Sequence, residues 1–319
     1  MPKIDESIVL VGGGGGVYRI VRFLKHIRYK LTTIQTVFDH GGHSGDLRDE
    51  RGVIPPGDIR QAILALSDDD LEPGLRQLMA YRFKVNGGSL DRVNVGNILL
   101  TALTDIEGDM PRAIEALCRI CRVRGKVLPV SLDDAELCAT LSDGSILTGE
   151  GHIDTRSIDD SRTITNVFLD RKANIFVGAY DALVSADKIV FCPGDIYTSL
   201  IPNFLVDGFC DAVRESRAKL IYCVNIMTKK AETEGFNVGR FSSEVFHYLG
   251  ERRLDVVLYN DQLIDSYLEE KYAQEKSFRV IAGDMDPRFA KAYRPGDFVD
   301  ETGGIIRHHQ NIASVIAFL

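Results

Sequence analysis

The sequence predicts an α/β protein of the Rossmann-like, doubly wound kind: a mostly parallel sheet, helices on both faces, and a small β-rich excursion in the middle. Three observations predict it. Apolar, β-branched runs such as Ser7-Ile8-Val9-Leu10-Val11 alternate with segments of helical spacing, the rhythm of parallel strands joined by crossover helices. The first run feeds five glycines, Gly12 to Gly16. Later runs end in polar loops, and an open parallel sheet binds ligands beyond the carboxyl ends of its strands.

After the glycines, Val17, Ile20, Val21, Leu24 and Ile27 fall on one helical face, so Val17 to Arg28 is expected to be a helix. Strand, glycine turn and helix form the βα unit that sets an anion against unpaired N–H groups and the positive end of a helix. Gly13, Gly14, Gly15 and Gly16 are therefore phosphate-binding candidates, because a Cβ would hold the backbone away from the phosphate oxygens. The dinucleotide fingerprint is not met: Val17 stands where its last glycine belongs, which argues against a nicotinamide oxidoreductase.

A second strand, Thr33 to Phe38, leads into Asp39-His40-Gly41-Gly42-His43-Ser44-Gly45-Asp46-Leu47-Arg48. Asp39 is the candidate for holding magnesium or a ribose hydroxyl, and for the catalytic residue if the protein is an enzyme. His40 beside it makes a site better suited to a softer metal. His40, His43 and Asp46 read either as a metal cluster or as hydrogen-bonded loop residues. A helix follows around Ile59, Ile63, Leu64 and Leu66, with Arg60 projecting from its first turn. Arg48 and Arg60 are planar donors suited to phosphate oxygens. Residues 70–83 and 94–122 read as further helices, broken at Gly87-Gly88 and Gly108-Asp109.

From Gly125 the texture changes. Lys126 to Val130, Glu136 to Leu141, Ile146 to Ile153 and Thr163 to Leu169 are short β-type runs between Asp/Gly/Ser turns, so residues 125–170 are expected to form a β-rich insertion within one domain spanning 1–319. The α/β rhythm then returns. Helices are expected at Ala173 to Ser185, 204–217, 239–250, Gln262 to Tyr272 and Gln310 to Leu319, and strands at Lys188 to Cys192, Leu220 to Ile226 and Asp255 to Tyr259. Two more loops leave strands here, Pro193 to Asn203 and Asn225 to Gly235, so four polar loops should meet at one crevice.

Bulk composition narrows the function. The 319 residues suffice for a large core, and 45% hydrophobic with 26% charged residues is ordinary for a globular protein. A net charge of −8 speaks against nonspecific nucleic-acid binding. The N-terminal residues lack the pattern of a signal peptide, and no apolar run is long enough to span a membrane, so a cytoplasmic protein is expected. Six cysteines are scattered through mostly apolar segments, as reduced core thiols would be; Cys118 and Cys121 read the same way. His308-His309 reads as a surface pair.

These loops resemble the CofD/YvcK family of 2-phospho-L-lactate transferases and "gluconeogenesis factor" relatives. The glycine opening is similar, with Gly15 where a threonine is usual, and the Asp39–Arg48 segment resembles D-D-G-G-S-S-G-R-L-R. Pro55-Pro56-Gly57-Asp58-Ile59-Arg60 matches P-P-G-D-I-R, and Gly96-Asn97 resembles the end of G-H-S-x-G-N, with Val93-Asn94 replacing His-Ser. Pro193 to Asn203 is similar to P-G-S-L-Y-T-S-I-I-P-N with Asp195 for serine. Met227-Thr228 and Glu232-Thr233 fit M-T-Q-P-G-E-T with Lys229-Lys230 for Gln-Pro, and the YvcK-type motifs fit best.

The resemblance implies a ligand pocket built from the glycine turn, Gly41, Gly42, Ser44, Arg48, Gly57, Asp58, Arg60, Asn97, Gly194, Asp195, Tyr197, Thr198, Ser199, Asn203, Asn225 and Thr228. Asn97, Thr198, Ser199, Asn203 and Thr228 would give neutral donors around a base, ribose or sugar. Lys229-Lys230 reads either as a partner for a diphosphate or as a solvated loop face. Two functions follow. One is a regulator of carbon or cell-wall metabolism and cell shape that binds a nucleotide sugar such as UDP-N-acetylglucosamine and is read by a protein partner. The other is a magnesium-dependent transferase moving a phospho-acid from a guanylyl anhydride to an alcohol, with Mg2+ on Asp39 and His40. A homodimer is expected from the same resemblance.

Overall fold

Gly12 ends one strand level with Cys192, the residue that directly follows the neighbouring strand, and the candidate site is built on the two loops that leave there. The computed structural model describes residues 6–27, 29–38, 57–70, 73–84, 93–157 and 159–319. In chain order the first half contains β1 (Ser7–Gly12), α1 (Gly14–Leu24), β2 (Lys30–Gln35), α2 (Gly57–Leu66), α3 (Pro73–Ala80), α4 (Val95–Glu107) and α5 (Met110–Ile120). Next come β3 (Lys126–Pro129), β4 (Leu137–Leu141), β5 (Ile146–Thr148), α6 (Glu150–Asp154) and β6 (Ile164–Leu169). The second half runs α7 (Val177–Val184), β7 (Lys188–Phe191), a π-helical turn (Ile196–Leu200), α8 (Ile201–Phe204), α9 (Phe209–Glu215), β8 (Lys219–Cys223), α10 (Val238–Tyr248) and β9 (Leu254–Asn260). It closes with α11 (Ser266–Gln274), β10 (Ala290–Gly296), β11 (Val299–Asp300), β12 (Arg307–His308) and α12 (Asn311–Phe318).

Among the described residues the main sheet has seven parallel strands in the order β10-β9-β8-β7-β1-β2-β3. The chain builds outward from β1 to β3, then returns to β7 on the other side of β1 and builds outward again. Strand order reverses between β1 and β7. That is the doubly wound fold the sequence predicts, and its crevice opens at the reversal. Strands covered on both faces need no apolar–polar alternation: every residue of β7 is buried, and Ile8 to Val11 of β1 are at most 2% exposed. In the register, Val11 lies beside Ile34 on one side and Phe191 on the other.

The structure shifts several expected boundaries. α1 starts at Gly14 instead of Val17, because the glycines themselves supply its first turn. β2 spans Lys30–Gln35, and Thr36 to Phe38 form buried coil beyond it. The run Lys126 to Val130, read with the excursion, is instead the outer parallel strand β3; Pro129 is tolerated there because an edge strand has one unpaired side. The remaining runs form a separate antiparallel sheet, β5-β4-β6. Ile146 to Ile153, expected as one strand, splits into β5 and α6.

The helical segment 94–122 breaks where glycine and aspartate stand. Gly108 adopts φ +90, Asp109 accepts a 2.9 Å hydrogen bond from the Arg112 N–H, and Pro111 occupies the first turn of α5. These are the ordinary signals that end one helix and start another. Replacing Asp109 with alanine leaves that N–H unpaired, and urea unfolding should show a loss of about 1 kcal/mol. None of the described helices is long and apolar enough to cross a membrane.

Candidate functional site

The crevice at the strand reversal is made by two loops that touch. Gly16 faces the loop after β7 so closely that a Cβ on it would sit 1.6 Å from the Pro193 carbonyl oxygen. The loop after β8 joins from the other side. Asn225 accepts a 3.1 Å hydrogen bond from the Gly194 N–H and donates a 2.8 Å bond to the Gly194 carbonyl. One side-chain amide thus clamps the backbone of the neighbouring loop in both directions. Gly14 takes φ +56 at the start of α1, a left-handed turn that favours glycine. Gly15 has open space where its side chain would be.

Gly15, Gly16, Pro193, Gly194 and Asn225 share a recess of about 350 Å³ with Arg19, Ile226, Met227, Tyr272, Ile306, Arg307 and His308. Four of these, Gly15, Gly16, Gly194 and Asn225, are residues the sequence nominated. The C-terminal wall carried no sequence signal. Arg19 projects from the second turn of α1, and burial lowers its pKa, with the Arg307 charge lowering it further against the opposing pull of Asp300 at 3.8 Å. Both guanidinium groups line the recess beside the N-terminal end of α1. His308 is not part of a surface pair: its Nε2–H donates to the Val224 carbonyl at 3.0 Å, and burial pushes its pKa down to about 4. It is a neutral wall residue.

Other nominated residues are placed away from this recess. Asp58 packs its carboxylate against the backbone of Gly13, from the first turn of α2 where it follows Gly57. Arg60 is 6% exposed and donates through Nε to Asn97 Oδ1 at 2.9 Å; burial lowers its pKa to about 10, the Arg82 charge adding to the effect and Asp58 opposing it. Arg60 and Asn97 are thus brought together, as a buried pair. Tyr197, Thr198, Asn203 and Thr228 are also buried. Asn203 donates to the carbonyls of Ser199 and Leu200, and Thr228 Oγ1 accepts from the Phe278 N–H at 2.9 Å. None of these four lines the recess, and Thr198 Oγ1 and Asn203 Oδ1 have no hydrogen-bond partner among the described residues; Ser199 lies half-buried beside Gly194. Asp39, His40, Gly41, Gly42, Ser44 and Arg48 lie outside the described residues.

Beside the recess sits a charged cluster that spans three elements. Lys229, after β8, bonds through Nζ to Asp154 of α6 and to Asp195 at 2.7 Å, and lies 2.9 Å from Glu232 Oε1. Burial works against the ammonium charge, but Glu232 and Asp195 outweigh it and hold the Lys229 pKa above that of an ordinary lysine. Glu232 is 5% exposed, and neither of its oxygens has a hydrogen-bond partner. Burial, aided by the Asp195 charge, pushes its carboxyl up to about 8 against the pull of Lys229. Burial raises the Asp195 carboxyl too, although 38% of its side chain still meets solvent. Lys230 pairs with Glu234, so neither lysine is a solvated loop residue or faces the glycine turn as a diphosphate partner.

Oxygens of Asp154, Asp195 and Glu232 lie within 4.8 Å of one another, a spacing a divalent cation could use. The Lys229 ammonium is seated among them, so these residues as they stand do not fit magnesium.

Fold and crevice together define a Rossmann-like α/β protein with a basic, glycine-walled cleft where its strand order reverses. The family model described as 2-phospho-L-lactate transferase CofD matches residues 8–293. The chain is 37% identical to the gluconeogenesis factor of Halalkalibacterium halodurans, over 97% of this chain and 94% of that one. It is 41% identical to the putative gluconeogenesis factor of Thermotoga maritima, over 85% and 84%. A crystal structure of a UPF0052-family protein from Bacillus halodurans superposes with a TM-score of 0.90 at 35% identity, covering 98% of this chain and 99% of that one. The chain belongs to the CofD family, on its gluconeogenesis-factor (YvcK-type) branch.

Proposed function

We propose that the protein binds a nucleotide diphosphate sugar, a UDP-sugar such as UDP-N-acetylglucosamine, and serves as a cytoplasmic regulator of carbon or cell-wall metabolism. Arg19 and Arg307, which line the same recess as Gly15 and Gly16 at the start of α1, carry this reading. Guanidinium groups beside a helix N-terminus suit an anion, and a diphosphate supplies one with several oxygens. The neighbouring backbone of Gly194 and the apolar side chains of Ile226, Met227 and Ile306 suit the rest of such a ligand. A protein partner would read the occupied crevice.

The alternative is a magnesium-dependent transferase acting on a guanylyl-activated phospho-acid. It is supported by the family's transferase description. Calorimetric titration with UDP-N-acetylglucosamine and with GDP, each with and without magnesium, separates the two. Tight UDP-sugar binding that ignores magnesium supports the regulator; a magnesium-dependent preference for GDP supports the transferase. Arg307→Ala should weaken UDP-sugar binding by about 10- to 100-fold, the range for a lost charge-assisted hydrogen bond. Unchanged affinity in this variant would place the diphosphate elsewhere.

A further inference from the structure

Asp195 and Lys229 stand on loops that leave adjacent strands, β7 and β8. The fold puts the two side chains in contact: Lys229 Nζ lies 2.7 Å from Asp195 Oδ2. The same ammonium also bonds Asp154, from α6 of the antiparallel sheet, and lies 2.9 Å from the buried Glu232. One cation thus ties together two crevice loops and the insertion, with three carboxylates around it.

From this geometry we infer that Lys229 is a resident cation: its ammonium fills the seat a divalent metal would take among Asp154, Asp195 and Glu232, and so frees ligand binding at the neighbouring crevice from any need for metal. The second half of that statement rests on the nucleotide-sugar reading; the first half does not. Carboxylate oxygens this close repel one another unless a positive charge sits between them. A lysine provides that charge permanently, whereas a metal site provides it only when loaded. The ammonium donates to Asp154 and Asp195 and lies 2.9 Å from Glu232 Oε1, so one positive charge serves all three groups. The loop that carries Gly194 is then braced whether or not divalent ions are present.

The test is a manganese titration of the nucleotide-free protein, followed through the electron paramagnetic resonance signal of free Mn2+. Lys229→Gln should gain a Mn2+ site at least about tenfold tighter than any in the unaltered protein, because Asp154 and Asp195 now lack a cation and the metal displaces the proton of Glu232 to complete the set. Lys229→Arg keeps the charge and should gain none. Adding Asp195→Ser to Lys229→Gln removes one ligand and should abolish the gain. If Lys229→Gln binds Mn2+ no better than the unaltered protein, the inference is overturned. Should that variant fold poorly, its thermal midpoint decides: a rise with Mn2+ that the unaltered protein lacks supports the seat, and no rise overturns it.

A separate titration of the unaltered protein with UDP-N-acetylglucosamine, in EDTA and in magnesium, tests the consequence. Equal affinities support it, and a tenfold loss in EDTA overturns it while leaving the nucleotide-sugar reading intact. Absence of binding in both conditions overturns the nucleotide-sugar reading, and the manganese result then judges the cation seat alone.

Discussion

Gly16→Ala is expected to destabilise the protein by about 4 kcal/mol or more, at the far end of what single substitutions do. Its new methyl group would lie 1.6 Å from the Pro193 carbonyl oxygen. That obstacle is backbone, so no rotamer change relieves it, and β1 or β7 must give way. Both strands lie in the middle of the sheet with their side chains buried, so there is little room to shift. Gly15→Ala is the matched control. Nothing lies within 4 Å of its added methyl, and alanine in a helical turn should be neutral or stabilising by up to about 1 kcal/mol. Urea unfolding of the two variants checks the pair, and equal stabilities would show that the β1 and β7 loops do not meet as described.

Glu232 makes the second large effect, and it depends on pH. Burial lifts its carboxyl from an ordinary 4.5 to about 8. Between those values the unfolded chain has released the proton and the folded protein keeps it, so stability falls as pH rises through this window. The effect should be on the order of 3 kcal/mol once the opposing pull of Lys229 is allowed for. His308 works in the other direction. Its pKa falls from 6.5 to about 4 on folding, so its contribution is complete above 6.5 and is lost as pH drops. Of these two groups, Glu232 alone acts between pH 6.5 and 8. Glu232→Gln keeps the shape without the titration, and its stability should be flatter across that interval. Parallel profiles for the two proteins would mean that Glu232 is already ionised when folded.

Much of this architecture was legible in the sequence because local chemistry coincided with global position. Gly12 to Gly16 mark the turn after β1, and the apolar runs ending at Phe191 and Cys223 mark the strands beside it. What stayed hidden was written in contacts between distant segments. His308 looks like a surface residue until β12 brings it against the Val224 carbonyl. β10, Ala290–Gly296, carries two charges and a proline because it is an edge strand, and so shows no strand pattern. Lys229 looks solvated until Asp154, Asp195 and Glu232 converge on it from three elements. Tyr197 and Asn203 are expected at the ligand because the loop that carries them resembles the family's motif. The π-helical turn and α8 fold that loop back onto the sheet and bury both.

The crevice draws one wall from Gly15 and Gly16 and the other from Ile306 to His308, segments separated by nearly the whole chain. Closing so long a loop comes late in folding, after the strands between have found their places. A chain emerging from the ribosome can therefore build β1 through β9 and still have no second wall. The recess is complete only once Ile306 to His308 have docked against α1, so copies stalled before that step present the glycine wall alone.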